Sequence, residues 1–435
     1  MLTLPADVTA ALTAPLAGLD AELAARFPGD PGTSQPVHTC YVPADQVTAT
    51  IAEDWAAAAR AAFDAHAGEP SDLAAATGVP AALAGRVHAH VRRVLAGSPV
   101  ADLRVDLEDG YGVRADAEED AVAVAAAEAL RAAAAAGGLP ASYGLRPKSL
   151  DAAVRARGLR SLDLFLTALT ADGGATAPPG LVVTLPKVSA PAQVSVFGDI
   201  LAELEGRLGL APIPLEVQVE TPSAVLALPA LVAAGRPRLR GLHVGTYDYS
   251  AALGVSAEHQ AGDHPSVELA TALMQLAAAE TGVRVADGSC NLLPVGDRAA
   301  VHAGWRRHAE LIRRAWMRGL YQGWDLHPAQ LVSRHATVAA CLLAGLPPAL
   351  ARLSRWAGTA AGPDDDPSAA FSPPATRVSG SPGPVVDEPA TARALAGHVR
   401  RALDAGLLDD THLATAGLTG ETITRLSTAG DSPQH

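Results

Sequence analysis

Residues 215–248 read LEVQVETPSAVLALPALVAAGRPRLRGLHVGTYD. Two short β-type runs, LEVQVE (215–220) and GLHVG (241–245), flank a stretch of helical length. Each run delivers a carboxylate at or just beyond its end, Glu220 and Asp248, 28 residues apart. Parallel strands joined through a helix set their C-terminal ends side by side, so both carboxylates belong to one face.

The same unit repeats outward in both directions. Further β-type runs are VHTCYV (37–42), LRVDL (103–107), SYGLR (142–146), GLVVTL (180–185), VRVAD (283–287) and QGWDLH (322–327). Eight strands separated by helix-sized, alanine- and leucine-rich segments predict a closed (β/α)8 TIM barrel. An open doubly wound sheet is the rival, but it would place a glycine-rich phosphate turn after its first strand. Here Pro43, Ala44 and Asp45 follow, and the barrel is preferred.

Polar groups gather where the runs end: Asp106, Glu108 and Asp109; Arg146 and Lys148; Lys187; Glu220; Asp248; Asp287; His327. A barrel brings these ends to one mouth, where active sites form. Glu220 and Asp248 are two hard oxygen ligands of the kind that hold Mg2+, with Mn2+ the alternative. The plainer reading makes each an N-cap of the next helix, which Thr221 and Pro222 would suit. Arg146 is positioned to stabilise charge on an enolate oxygen or to clamp a carboxylate; a structural ion pair is its alternative. Lys187, among acids, reads as electrostatic support rather than a Schiff-base nucleophile. Glu108 and Asp109 would hydrogen-bond waters on the metal, unless the run is a solvated loop. His38, Asp287 and His327 are candidates for substrate contact, with structural roles as the alternative.

Composition narrows the class. The 435 residues carry a formal charge of −13 with no basic stripe, which argues against nucleic acid. The three separated cysteines form neither a disulfide framework nor a thiolate zinc site. The first residues lack a basic flank and are interrupted by Asp7, Asp20 and Glu22, and no uninterrupted apolar run has the length of a membrane span. A cytoplasmic enzyme without a membrane partner is expected. The chain divides into an N-terminal helical extension (1–35), a barrel (36–346), a Pro/Gly/Ser-rich linker or mobile loop (359–390) and a helical tail (391–435).

The ordered series VHTCYVPAD, VDLEDGYG, GLRPKS, TLPKV, VETPSAV, HVGTYDYSAALG, VADGS and DLHPAQ resembles the citrate lyase β-subunit and HpcH/HpaI aldolase family, of the phosphoenolpyruvate/pyruvate-type barrels, as a divergent branch. The resemblance covers about residues 36–335. It implies Mg2+ on Glu220 and Asp248, Arg146 facing the keto-acid oxygen, Glu108 and Asp109 beside the metal, and Lys187 as the family's lysine. It further implies carbon–carbon lyase (aldolase-type) chemistry on a 2-keto acid or related carboxylic acid through an enolate, in a homo-oligomer, commonly a trimer or hexamer. Gly323–Trp324 stands where the citrate-lyase branch tends to carry Gly–Lys, which weakens the implication of an acyl-coenzyme-A partner. Malate-synthase-like or thioesterase chemistry on an acyl-coenzyme A, and a non-catalytic keto-acid-binding barrel, are the alternative readings.

Overall fold

A computed structural model describes residues 3–171, 177–360, 375–377, 384–386 and 388–428. Eight parallel strands close a barrel: β1 (His38–Pro43), β2 (Asp102–Asp106), β3 (Ser142–Arg146), β4 (Leu181–Leu185), β5 (Leu215–Val219), β6 (Leu239–Val244), β7 (Arg284–Ser289) and β8 (Gln322–Asp325). Each lies on one of the runs read from the sequence. β1 pairs with both β2 and β8, which completes the ring and leaves no free edge.

Strand alternation sorts the side chains. Cys40, Val42, Leu103, Val105, Leu145, Val183, Val217 and Leu242 join the apolar layer between strands and surrounding helices. The opposite face fills the barrel, and its filling is polar. Thr39 donates to Asp102 at 2.8 Å, Arg104 bridges Asp102 and Glu216 at 2.9 Å each, and Thr184 donates to Glu216 at 3.0 Å. Gln322 donates to Thr39 at 3.0 Å, and the Trp324 indole N–H donates to His243 Nδ1 at 3.1 Å. Six of the eight strands are thereby cross-linked through the interior by hydrogen bonds and ion pairs, in place of the usual branched aliphatic layers. Arg104 is fully buried: burial opposes its charge, but Asp102 and Glu216 hold it in the charged form.

Of the described helices, one is by itself long and apolar enough to cross a membrane, the helix after β8 (Gln330–Ala360), but over half of its most apolar window is buried inside the protein. It runs past residue 346 and carries Pro347 and Pro348. Its distal part, through Ala349 and Leu353, forms a second small core with Ala392, Ala396 and Val399 of helix Pro389–Asp404 and with Leu413, Leu418 and Ile423. Within the segment read as a linker, Ala375–Arg377 and Pro384–Val386 pair antiparallel, and most of the rest lies outside the described residues. The N-terminal helices, Ala6–Thr13 and Leu16–Arg26, bury no residue.

Candidate active site at the barrel mouth

The loop after β2 is organised by Asp106. Its carboxylate accepts the backbone N–H of Glu108 at 2.9 Å and of Gly110 at 2.8 Å, folding LEDG back over the strand end. A side chain at 110 would put its Cβ 2.5 Å from Asp106 Oδ2, so the turn requires glycine. Lys148 braces the loop by donating to the carbonyls of Leu107 at 2.6 Å and Gly112 at 3.2 Å, and by pairing with Glu119 at 3.0 Å.

Arg146 ends β3 and is almost wholly engaged. Nε and Nη2 bind Asp106 in bidentate fashion at 2.7 and 2.6 Å, and Nη1 donates to Gln218 at 3.1 Å. Its guanidinium lies over the Tyr41 ring at 4.7 Å. The Nε/Nη2 edge is therefore closed to a substrate carboxylate, because Asp106 already takes that fork. Of its five N–H groups, one on Nη1 and one on Nη2 remain, and Nη1 faces Glu108 Oε2 at 3.6 Å.

Glu220 follows β5. Thr221, not Glu220, caps the helix Pro222–Leu226, accepting the Ala224 N–H at 3.1 Å, so Glu220 is free of that role. Its carboxylate accepts two neutral donors, the Lys187 backbone N–H at 2.6 Å and the Gln218 amide at 2.7 Å. Burial pushes its pKa up to about 8, with Glu108 and Asp248 adding to the rise and Arg146 opposing it. Asp248 sits in the first turn of helix Thr246–Ala252 and is half exposed. Carboxylate oxygens of Asp109, Glu220 and Asp248 all lie within 4.8 Å of one another.

Lys187 closes the cluster. Its ammonium binds Glu108, Asp109 at 2.6 Å and Asp248 at 3.4 Å. Burial works against its charge, but the hydrogen bonds to Asp109 and Glu108 outweigh burial and hold it above the ordinary lysine range. Glu108 is displaced upward to about 7 by burial, against the pull of Arg146. Arg146, Lys187, Glu108, Asp109, Glu220 and Asp248 are thus one connected group.

The structure does not bring His38, Asp287 or His327 into that group. His38 lies on the outer face of β1, where its Nδ1 meets Asp325 at 2.9 Å and its Nε2 accepts the Ala101 N–H at 3.0 Å. His38, Cys40 and Asp325 converge closely enough for a metal, but Arg334 binds Asp325 at 2.8 Å and His308 binds it at 3.2 Å, so its charge is already matched. Asp287 borders a narrow crevice with Gly262, Leu311 and Arg318, and burial lifts its pKa to about 6. His327 Nδ1 accepts the Ala329 N–H at 3.2 Å, a turn contact at the start of the following helix. Parity explains His38 and Asp287, since on a strand one residue's shift moves a side chain to the opposite face; His327 lies beyond the end of β8, in the turn before the next helix. Asp106 and Gln218 hold Arg146 and Glu220, roles that the sequence reading does not assign; D-x-E after β2 and Q-x-E on the β5 run are their available signals.

A family profile described as a Domain of unknown function (DUF6986) matches residues 16–430. The chain belongs to that family. No curated protein matches its sequence. Among solved structures, a citrate lyase from Burkholderia xenovorans LB400 is 21% identical, covering 88% of this chain and 97% of that one at a TM-score of 0.58. Protein CitE from Mycobacterium tuberculosis in complex with magnesium and pyruvate is 23% identical over 70% of this chain and 91% of that one (TM-score 0.39). The magnesium/glyoxylate complex of Haloferax volcanii malate synthase is 15% identical over 91% of this chain and 98% of that one (TM-score 0.47). The first similarity shows that this family member has the citrate lyase barrel fold; at their scores the other two add nothing to it.

Proposed function

We propose that the chain is a divalent-metal-dependent carbon–carbon lyase of the aldolase type, acting on a 2-keto acid or related carboxylic acid at the barrel mouth. The observation that carries this reading is the meeting of Asp109, Glu220 and Asp248 within 4.8 Å beside Arg146 and Lys187. A carboxylate as buried as Glu220, held by two neutral donors and crowded by other acids, is stable as an anion only with a nearby cation. Its hard oxygen donors suit Mg2+, or Mn2+, better than a soft metal.

Glu220 and Asp248 would hold the ion, and Asp109 is close enough to act as a third ligand. Such an ion would polarise the carbonyl of a chelating keto acid and stabilise charge that develops on its oxygen. Arg146 contributes a fixed positive field and the N–H groups left on Nη1 and Nη2, preorganised by Asp106 and Tyr41. Lys187 supplies a second positive charge and ties three acids together. A Schiff base would require its free amine, which this acidic setting disfavours.

Calorimetric binding of oxalate, a planar mimic of the pyruvate enolate, tests the reading. Oxalate should bind in the presence of Mg2+ and lose binding in its absence or in a Glu220→Ala/Asp248→Ala variant. Absence of metal-dependent binding by folded protein overturns the lyase reading. Binding of a coenzyme-A ester in its place would move the protein to acyl-coenzyme-A chemistry.

A further inference from the structure

The opposite end of the barrel carries charge of the other sign. We propose that the floor formed by the N-terminal ends of β5, β6 and β7 is a second binding site, for a small phosphate-bearing organic anion. A cavity of about 620 Å3 opens there, with Arg238, Arg240 and Arg284 in its wall and no carboxylate among its described lining residues. That volume lies in the range of small-molecule pockets. Pro31, Pro212, Pro214 and Pro237 with Ile213 and Leu239 give the wall a rigid apolar part, and Thr33, Ser34 and Thr281 add hydroxyl groups. An adjoining cavity of about 180 Å3 shares Pro31, Thr33 and Arg284 and adds Arg400 and Arg401 from the tail helix.

The charges there do not balance. Arg238 is matched by Glu205 at 2.6 Å, and Arg400 by Asp30 at 2.8 Å. Arg284 reaches Asp30 only at 3.8 Å, and that carboxylate already serves Arg400. Arg240 reaches Glu216 only at 3.8 Å, and Glu216 is held from inside the barrel by Arg104 at 2.9 Å. Arg401 lies over the Tyr321 ring at 3.6 Å and is half-buried. Asp30, Glu280 and Asp404 line the smaller cavity, and none of them lines the larger one. Arg240 and Arg284 are therefore left with carboxylates only at 3.8 Å, each shared with a nearer arginine, and Arg284 otherwise donates to the carbonyl and hydroxyl of Thr33, in a chain whose net charge is −13.

Burial lowers the pKa of Arg284, with Arg400, Arg240 and Arg401 adding to it and Asp30 opposing; burial also lowers that of Arg401, with Arg400 adding to it and Tyr321, Asp30 and Asp404 opposing. Arginine does not lose its proton in a protein, so the strain is relieved by an anion rather than by deprotonation. Convergent guanidinium forks match phosphate oxygens better than chloride, and the proline wall suits an organic body beside the phosphate. Strands of this length separate floor and mouth by on the order of 15 Å, so the two sites would not compete for one ligand. An anion at the floor would also link the N-terminal segment through Thr33, the barrel through Arg284 and the tail through Arg401.

Titration of the full-length, metal-free protein with inorganic pyrophosphate by calorimetry, at constant ionic strength in chloride, tests the site. Saturable binding is expected, weakened about tenfold or more by Arg240→Gln and by Arg284→Gln and retained by Lys187→Met at the mouth. Arg240 is the more exposed of the two, so its variant decides the matter should Arg284→Gln fail to fold. No saturable binding, or binding indifferent to Arg240→Gln, overturns the proposal. Citrate that binds where pyrophosphate does not overturns the phosphate assignment and makes this a carboxylate site.

Discussion

The backbone N–H of Lys187 donates to Glu220 Oε1 at 2.6 Å, from a residue held at φ +50°. The left-handed turn after β4 lets one residue serve two purposes. Its amide grips the buried carboxylate of the next strand, and its ammonium reaches back to Glu108 and Asp109. A lysine in that conformation is strained, and the strain is confined to the site it assembles.

The strain is measurable. Lys187→Ala removes the ammonium and keeps the unfavourable φ, while Lys187→Gly removes both. The glycine variant should be more stable than the alanine variant by about 1 kcal/mol in urea unfolding. Equal midpoints would mean that the turn relaxes when the side chain is lost.

Arg146 and Asp106 form a buried bidentate pair, so removing one partner strands the other. Arg146→Ala should cost about 3–5 kcal/mol of stability. The Asp106→Ala/Arg146→Ala double variant should cost clearly less than the sum of the single changes. Additive losses in denaturant titrations would show that the pair is not coupled as the geometry requires.

Gly245 admits the Glu220 side chain. A Cβ at 245 would lie 2.3 Å from Glu220 Oε2 and 2.4 Å from its Cβ. Gly245→Ala should therefore displace the carboxylate and weaken Mg2+-dependent oxalate binding by about tenfold or more, with the barrel still folded by circular dichroism. Unaltered oxalate affinity would show that Glu220 tolerates displacement.

Mg2+ binding should appear as stability. A ligand at about 100 times its Kd adds about 2.7 kcal/mol to the folded state, so Mg2+ should raise the Tm of the wild type. Glu220→Gln and Asp248→Asn should abolish that rise. A rise that persists in both variants would place the ion elsewhere.

Acid should destabilise the fold partly through His335. This ring is buried against the Pro99 carbonyl at 2.9 Å, and burial, aided by His38, lowers its pKa from 6.5 to about 3. The unfolded chain takes up the proton first, so the neutral ring's contribution is intact above pH 6.5 and falls away as pH drops toward 3. The full loss is roughly 4–5 kcal/mol. Asp325, held well below the carboxylate range by Arg334 and His308 against burial, acts in the same direction at lower pH. His335→Gln should flatten the dependence of the urea midpoint between pH 6.5 and 4. An unchanged slope would remove His335 from the account.

Much of this protein was readable along the chain. All eight barrel strands follow from the runs between 37 and 327, because a strand buried on both sides must be nearly free of helical periodicity and turn residues. Glu220, Asp248, Glu108, Asp109, Lys187 and Arg146 stand at strand ends, and closure of a parallel barrel carries such ends to a single mouth. These are local and topological properties, and the order of residues determines them.

What each side chain does there is a matter of three-dimensional competition. The sequence could not show that Asp106 takes the fork of Arg146, that Thr221 rather than Glu220 caps its helix, or that His38 turns outward to Asp325. Nor could it show that Arg240, Arg284 and Arg401, scattered over more than 160 positions, line two adjoining cavities with Arg284 common to both. Strand parity selects the face a residue points to, and partners distant in the chain decide whether a charge is neutralised or left for a ligand. Those partners meet only when the barrel closes and the tail packs against it.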